Sequence, residues 1–402
     1  MCGISGYIGI KDISKFKIKN TLNLMKNRGP DNQSYCEINS DKNKIFFLHS
    51  RLSIIDLKKR SNQPFYSDGI YLIFNGEIYN YVELRNLLIK KNIKFKTNSD
   101  TEVLLKYYQY YGTECLKYFE GMWSFAIYDS KKKITFLSRD RFGEKPLFYH
   151  KNDSGIYFGS EIKFIFALMG RKLSINFNQI KRYLVNGYKS IYKVNETFFE
   201  DLNEVKNGYV YEIGEELDLK KKKYWQPKFD NYNNKLSYNE IVEHTLYLLK
   251  ESVKLRLRSD VPIAFCLSGG IDSNALISIS KKCFDYDVNG FSIINNDKRY
   301  EELEMINHVE KNMKINISKI NLTKNKFIQN LNEQINYHDS PILTITYYAQ
   351  WCLMKEISDR GFKVSISGTG ADEIFSGYYD HHNAYLHFMK NNYNKKYFPS
   401  HE

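Results

Sequence analysis

The sequence has no apolar run long enough to cross a membrane. In 402 residues the longest runs, such as Phe164 to Met169, have strand or core-helix length, where about 20 residues are needed. The first residues lack the basic and apolar segments of a secretion signal. Six cysteines (Cys2, Cys36, Cys115, Cys266, Cys283, Cys352) stand without CxxC or CxxH spacing, which argues against structural zinc and a disulfide framework. The chain therefore reads as cytoplasmic with reduced thiols. No internal repeat is present. The net charge of +13 comes without a zinc-finger, RRM-like or basic-helix pattern. The lysine runs Lys131–Lys133 and Lys220–Lys223 read as solvated surface, so neither nucleic acid nor membrane is expected as a partner.

What is present is the composition of a soluble globular protein, 42% hydrophobic and 26% charged, long enough for two cores. Residues 2–214 are rich in short strands: Gly6 to Gly9, Ile45 to Arg51, Ile70 to Asn75, Met122 to Asp129, Ile134 to Arg139, Leu147 to His150 and Ile156 to Gly159. Helical patterns cover Phe16 to Lys26, Tyr81 to Lys91 and Thr101 to Tyr111, which together suggest packed sheets flanked by helices. Residues 215–237 are polar and read as a linker. From 238 to 402 the pattern alternates. Helices are expected at Tyr238 to Arg258, Asp272 to Lys282, Tyr300 to Asn312, Lys324 to Tyr337 and Ile345 to Asp359. Strands are expected at Pro262 to Leu267, Val288 to Ile294, Ile315 to Ile320 and Phe362 to Ile366. Such alternation predicts a doubly wound parallel sheet.

Cys2 sits directly behind Met1. Its small side chain permits removal of the methionine, which would expose a residue carrying both a thiol and an α-amine. An amine titrating at about 7.7–8.0 can take the thiol proton, so one residue would supply nucleophile and base.

In the second half, Ser268-Gly-Gly-Ile-Asp-Ser273 follows an apolar strand and opens a helix, where backbone N–H groups and the helix dipole suit a pyrophosphate. The loop lacks the lysine of a Walker A motif and the spacing of GxGxxG. A second loop, Ser367-Gly-Thr-Gly370 with Ala371-Asp-Glu373, also joins a strand to a helix. Asp272 and Asp372 are candidates to hold Mg²⁺ on the phosphates, although acids at a helix start also complement the dipole.

In the first half, Asn75-Gly76 ends an apolar strand. The pair reads either as a tight turn or as an amide and N–H offered to an oxyanion. Arg51 can clamp a carboxylate or form a surface ion pair. Ser99 and Glu102 fit a capping box, and Asp100 at that helix start is a candidate partner for an ammonium.

Together these stretches resemble glutamine-hydrolysing asparagine synthetases. The matches are Cys2-Gly-Ile-Ser-Gly6, Arg28-Gly-Pro-Asp31, His49-Ser-Arg-Leu-Ser-Ile-Ile-Asp56, Asn75-Gly-Glu-Ile-Tyr-Asn80, Ser99-Asp-Thr-Glu102, Glu120 to Ala126, Arg139 to Gly143 with Pro146 to Tyr149, Tyr224-Trp225, Ser268 to Ser273 and Gly370 to Glu373. The resemblance implies a four-layer αββα N-terminal-nucleophile glutaminase joined to an ATP-pyrophosphatase domain, with a homodimer allowed for. It implies that Cys2 attacks glutamine and that Asn75 and Gly76 form the oxyanion hole. Arg51, Leu52, Ser53, Ile54, Ile55, Glu77 and Asp100 would join Asn75 and Gly76 in binding glutamine. Leu267, Ser268, Gly269, Gly270, Asp272, Ser273, Ile293, Ser367 and Gly368 would bind ATP. Ammonia would travel through an interdomain tunnel to an acyl-adenylate. Arg28 to Asp31 and Arg139 to Tyr149 read as mainly architectural.

The sequence departs from that pattern twice. Thr369 stands where asparagine synthetases carry a glutamate, and Phe375 to His382 looks similar to amidotransferases of surface-polysaccharide pathways. The acceptor carboxylate is thus aspartate or a sugar acid. The chain also stops at Glu402, shortly after the second loop, so a truncated synthetase half is expected. Two other classes remain: a glutaminase coupled to something other than adenylation, against which Ser268 to Ser273 argues, and a non-catalytic remnant, against which Cys2, Arg51, Asn75 and Asp100 argue.

Overall fold

The computed structural model describes residues 1–228, 236–294, 297, 302–322 and 326–392. They divide into two compact units. The first comprises Met1–Leu246, Arg258–Pro262 and Thr323–Trp351, and the second Tyr247–Leu257, Ile263–Leu322 and Cys352–Glu402.

In the first unit the chain runs through β1 (Gly3–Gly9), β2 (Asn32–Asn39), β3 (Lys44–Arg51), β4 (Phe65–Ser67), β5 (Ile70–Ile78) and β6 (Gly121–Asp129). It continues with β7 (Ile134–Arg139), β8 (Phe148–Asn152), β9 (Gly155–Gly159), β10 (Leu202–Glu204), β11 (Tyr209–Ile213) and β12 (Leu219–Lys223). They form two sheets, ordered β10-β8-β9-β1-β3-β2 and β12-β11-β7-β6-β5-β4, in which neighbouring strands are antiparallel.

Strand alternation sorts their side chains into three cores. Ile4, Ile8, Ile45, Phe47 and Phe158 of the first sheet meet Ile73, Ala126, Tyr128, Leu137 and Tyr211 of the second. On the far side of the second sheet, Leu72, Phe74, Phe125 and Ile127 pack under the helices Tyr81–Ile89 and Asp100–Tyr111 through Leu84, Leu88, Val103 and Leu104. On the far side of the first, Tyr7, Phe46 and Leu48 pack under the helices Lys15–Met25 and Ile162–Met169 through Ile18, Met25, Phe164 and Leu168. Helix, sheet, sheet, helix is the layering expected from the resemblance.

The seven strands and three helices read from the first half are all present. The linker reading needs correcting at one place: Leu219–Lys223 is strand β12, paired on β11. Its four consecutive lysines hide the strand from a hydrophobicity pattern, yet they suit an exposed sheet edge that must not recruit another strand. Residues 229–235 lie outside the described part.

The second unit holds β13 (Ile263–Cys266), β14 (Asn289–Ile294), β15 (Asn316–Asn321) and β16 (Val364–Ile366), ordered β15-β14-β13-β16. Every pairing is parallel, as expected. The expected helix starts at 300 and 324 lie partly outside the described residues; the helices run over Leu303–Met313 and Phe327–His338. The chain steps from β13 to β14 to β15 in one direction and then returns to the other side of β13. The order therefore reverses between β13 and β16, where a parallel sheet opens a crevice at its C-terminal edge.

Gly6 shows how tight the inter-sheet layer is. A Cβ there would overlap the Phe46 carbonyl and the Phe158 ring, and that ring stands edge-on to Phe47 at 6.0 Å. Gly6→Ala is expected to destabilise the fold by roughly 1–3 kcal/mol, read as a lowered thermal midpoint. An unchanged midpoint would contradict this packing.

Candidate active site

Strand β1 begins one residue after Cys2 and pairs with β3 in the register Gly3↔Ser50, so Cys2 arrives beside Arg51 and Leu52, where β3 ends. The Leu52 N–H points at Cys2 Sγ at 3.3 Å, and the thiol faces the Leu52 carbonyl at 3.6 Å. Arg28 Nε donates to the Cys2 carbonyl at 2.9 Å, while its Nη1 pairs with Glu161 at 2.9 Å. Asp31 Oδ2 accepts the Ser53 N–H at 2.7 Å. The Arg28–Asp31 stretch is thus architectural in a specific sense: one end fixes the backbone of Cys2 and the other fixes the loop after Arg51.

Cys2 opens onto a cavity of about 50 Å³ lined also by Met1, Arg51, Leu52, Ile54, Ile55, Asn75, Gly76, Glu77 and Asp100. Eight of the nine residues expected to hold glutamine line it. Ser53 does not; its backbone is taken by Asp31. Met1 forms part of the wall, so its removal enlarges the space.

Arg51 is 5% exposed. Its Nη1 donates to Lys58 O at 2.9 Å and Asn62 Oδ1 at 2.8 Å, and its Nη2 to the carbonyls of Ile55 and Asp56. As placed, the guanidinium holds the lining loop and would take a carboxylate by exchanging one of these partners. Asn75 Nδ2 donates to Ser124 Oγ at 3.3 Å, whereas Oδ1 is buried without a partner. Exchanging the two ends of the amide lets the Ser124 hydroxyl donate to Oδ1 and releases Nδ2. Gly76 lies so close to the backbone of Met122 and Trp123 that no Cβ fits.

The acids are strongly perturbed. Burial, with the charge of Asp100 second, pushes Glu77 up to about 8, against the pull of Lys145 and the terminal amine. Burial pushes Asp100 up to about 6, although the Ile78 N–H donates to it at 3.0 Å. The Met1 amine falls to about 5, mainly by burial, and burial pushes the Cys2 thiol up. Among the described residues no histidine lines the cavity. His49 is fully buried, held down to about 3 by that burial, and its Nε2 lies 3.1 Å from the Phe74 carbonyl. The chain terminus itself lies in the cavity, where Met1 forms part of the lining.

The capping box at Asp100 is half formed. Ser99 Oγ accepts the Glu102 N–H at 3.3 Å. The Glu102 carboxylate turns to the N–H groups of Lys96 and Thr97, because Ser99 N–H already donates to Thr97 Oγ1. Sequence reasoning missed Lys145, Gln63, Thr101, Phe74 and Met122, which also line the cavity. Lys145 lay within the stretch read as architectural. Its signal is the turn that carries it. Asp140, fully buried, accepts N–H groups from Phe142 and Glu144 on Oδ1 and from Trp123 and Lys145 on Oδ2, at 3.0–3.2 Å. Tyr224 closes the turn by donating to Arg139 O at 2.8 Å and stacking on Trp123.

In the second unit, Leu267 is buried at the end of β13 and Ser268, Gly269 and Gly270 lead into the helix Ile271–Phe284. Ser273 Oγ accepts the Ser268 N–H at 3.1 Å, and Gly270 N–H donates to Ser268 Oγ at 3.1 Å. The Gly269 N–H donates to Glu302 at 2.8 Å. Gly368 packs on Asp272 and Ser273, so the loops after β13 and β16 touch at the switch point. Ser367 donates to Thr369 at 3.1 Å, and Ile293 lies in β14. Asp372 turns its carboxylate onto Gly377. Among the described residues, no three His, Cys, Asp or Glu side chains gather as a metal site. Mg²⁺ needs only one or two carboxylates when phosphate supplies the other oxygens, and of the two acids it is Asp272 that lies where the loops meet.

A sandwich with a terminal cysteine in its cavity, followed by a parallel sheet with a glycine loop at its switch point, defines a two-part amidotransferase architecture. The comparisons agree. Residues 1–225 match the glutamine amidotransferase domain and residues 244–397 the asparagine synthase model. A Methanocaldococcus jannaschii protein, provisionally named a glutamine-hydrolysing asparagine synthetase, is 31% identical over 96% of this chain and 77% of its own length. Asparagine synthetase [glutamine-hydrolyzing] 1 of Bacillus subtilis is 32% identical over 94% of this chain and 59% of its own. The chain belongs to the glutamine-hydrolysing asparagine synthetase family, and it spans about three fifths to three quarters of the length of these relatives. A glutamine phosphoribosylpyrophosphate amidotransferase of Bacillus subtilis superposes with a TM-score of 0.41 at 16% identity, covering 79% of this chain and 65% of that one, a likeness too low to bear on function.

Removing the Asp140 acceptors should unfasten the turn. Asp140→Ala orphans four N–H groups and is expected to cost about 3 kcal/mol or more. Asp140→Asn keeps one accepting oxygen and falls between. Thermal denaturation of the three proteins tests that order, and equal midpoints would refute it.

Proposed function

We propose that residues 2–214 form a glutaminase and residues 238–402 carry the ATP-dependent half of an amide-forming ligase. The observation that carries this reading is the meeting of Cys2 with Arg51, Asn75, Gly76, Glu77 and Asp100 in one cavity. After loss of Met1, the Cys2 thiol attacks the glutamine side-chain amide while its own α-amine accepts the proton. Asn75 Nδ2 and the Gly76 N–H stabilise the oxyanion. The amine returns its proton to departing ammonia, and water releases glutamate from the thioester. Arg51 receives the α-carboxylate; Asp100 and Glu77 receive the α-ammonium.

ATP is assigned to Leu267, Ser268, Gly269, Gly270, Asp272, Ser273, Ile293, Ser367 and Gly368. The loop amides and the helix dipole would hold the pyrophosphate. Mg²⁺, held by Asp272 with Asp372 and phosphate oxygens, would supply charge neutralisation on the phosphates. Ammonia then attacks an acyl-adenylate, giving an amide and AMP. Aspartate is the acceptor in this reading. Thr369, whose neutral hydroxyl cannot act as a glutamate would, favours a sugar acid as the second. The free cysteines support a cytoplasmic setting.

Two measurements test this. A glutamine-mimicking diazoketone should label Cys2, detected by peptide mass, and Cys2→Ala should abolish labelling while retaining pyrophosphate release with aspartate and added ammonium. Wild-type protein that resists the reagent would overturn the glutaminase reading; release from sugar acids but not aspartate would change the acceptor. Separately, Asp100→Asn should weaken the diazoketone about 10- to 100-fold, the loss of one charge-assisted contact worth about 1.5–3 kcal/mol. It should leave an analogue lacking the α-amine unaffected. Equal loss for both analogues would remove Asp100 from ammonium recognition.

A further inference from the structure

Lys145 is a lysine in the wrong place for a surface residue: it is 6% exposed and lines the Cys2 cavity. Its backbone is clamped on both sides. The N–H donates to Asp140 Oδ2 at 3.0 Å, and the carbonyl accepts Arg139 Nε at 2.8 Å. The fixed backbone aims the side chain inward. Among the described residues, the hydrogen-bond partner of its ammonium is the Met1 thioether, at 3.1 Å, and a thioether is a weak acceptor. Across the same cavity, Glu77 Oε1 is buried without a hydrogen-bond partner. A buried cation with a poor partner and a buried acid with none are each costly alone.

We propose that Lys145 is a positioning residue of the glutamine pocket, its ammonium serving as the counter-charge that keeps Glu77 available to the substrate's α-ammonium. This rests on the glutaminase reading and deepens it. Removal of Met1 takes away the thioether and leaves the cavity as the space the ammonium faces. Two carboxylates meet there, Glu77 from β5 and Asp100 from the start of the helix Asp100–Tyr111. A second cation beside Arg51 makes the shared proton easier to lose, and only the ionised carboxylate pairs by charge with the substrate's ammonium. The charges bearing on Glu77 are Asp100, Lys145 and the terminal amine. Those bearing on Lys145 are Glu77, Arg28, Glu144 and Asp140. Of these three acids, Glu77 alone lines the cavity with Lys145.

The test uses the full chain and the glutamine-mimicking diazoketone, with iodoacetamide as a small neutral control. Lys145→Met should raise the half-saturating concentration of the diazoketone about tenfold or more while leaving its maximal labelling rate within about twofold. Iodoacetamide labelling of Cys2 should not change. The pH at which diazoketone affinity is half-developed should move upward, because Glu77 keeps its proton longer without the cation. Lys145→Arg, which restores the charge, should recover most of the affinity. Unchanged affinity in Lys145→Met would overturn the inference alone. So would an equal loss in both variants accompanied by a slower maximal rate, the mark of a merely structural lysine. Wild-type protein that the diazoketone fails to label would overturn the glutaminase reading and this inference with it.

Discussion

The antiparallel register of β1 on β3 is the constraint on which the first unit's chemistry depends. Pairing Gly3 with Ser50 ends the ladder there and places Cys2 and Arg51 each one residue beyond it. A slip by one residue would turn every side chain of β1 to the opposite face. Ile4 and Ile8 would then leave the inter-sheet core, and Cys2 would leave the Leu52 N–H. Register is therefore enforced by burial, not by the site itself. Glycines help where strands and loops come too close for a side chain: Gly3 faces Ser50 Oγ, and Gly29 lies on the Ser50–Arg51 backbone.

The second unit solves a different problem with a different sheet. A parallel sheet puts the ends of β13 and β16 side by side, so two loops distant in sequence meet without either being long. Gly368 packs on the first turn of the helix after β13, and Ser268 and Ser273 tie that turn to itself. The Glu302 carboxylate on the Gly269 N–H shows that this backbone presents a donor to an anion. That is the local physics expected of a glycine loop at a helix N-terminus.

Much of this was legible in the sequence, for identifiable reasons. Strands such as Ile70–Ile78 and Gly121–Asp129 are central, and their β-branched and aromatic residues mark them. Asn32–Asn39 and Leu219–Lys223 escaped because they are edge strands whose polar composition reads as loop. The site residues carried by short motifs, Cys2, Arg51, Asn75 and Asp100, converge in one cavity. Ser53 did not follow its neighbours; its backbone N–H is held by Asp31. Lys145 was hidden for the opposite reason. A lysine between Glu144 and Pro146 in a charged turn reads as solvated, and only the Asp140 carboxylate, by gathering four N–H groups, folds that turn inward.

The cavity's charges make a closed set. Arg51 and Lys145 bring two basic groups, Glu77 and Asp100 two acids that make up the opposite charge only as they ionise, all four residues at most 6% exposed. Removing any one leaves an uncompensated buried charge, the arrangement that costs most. An amino acid entering such a space is itself a zwitterion, so it adds one charge of each sign and preserves the balance. A ligand carrying only the carboxylate or only the ammonium would not. On the proposed glutaminase reading, such a balance would favour a free amino acid over its singly charged analogues before any contact with the side-chain amide is made. Glu77 and Asp100 are both pushed upward, which places their ionisation near neutrality. On the proposed reading, the arrival of the substrate's ammonium would therefore be linked to the loss of a proton from these acids.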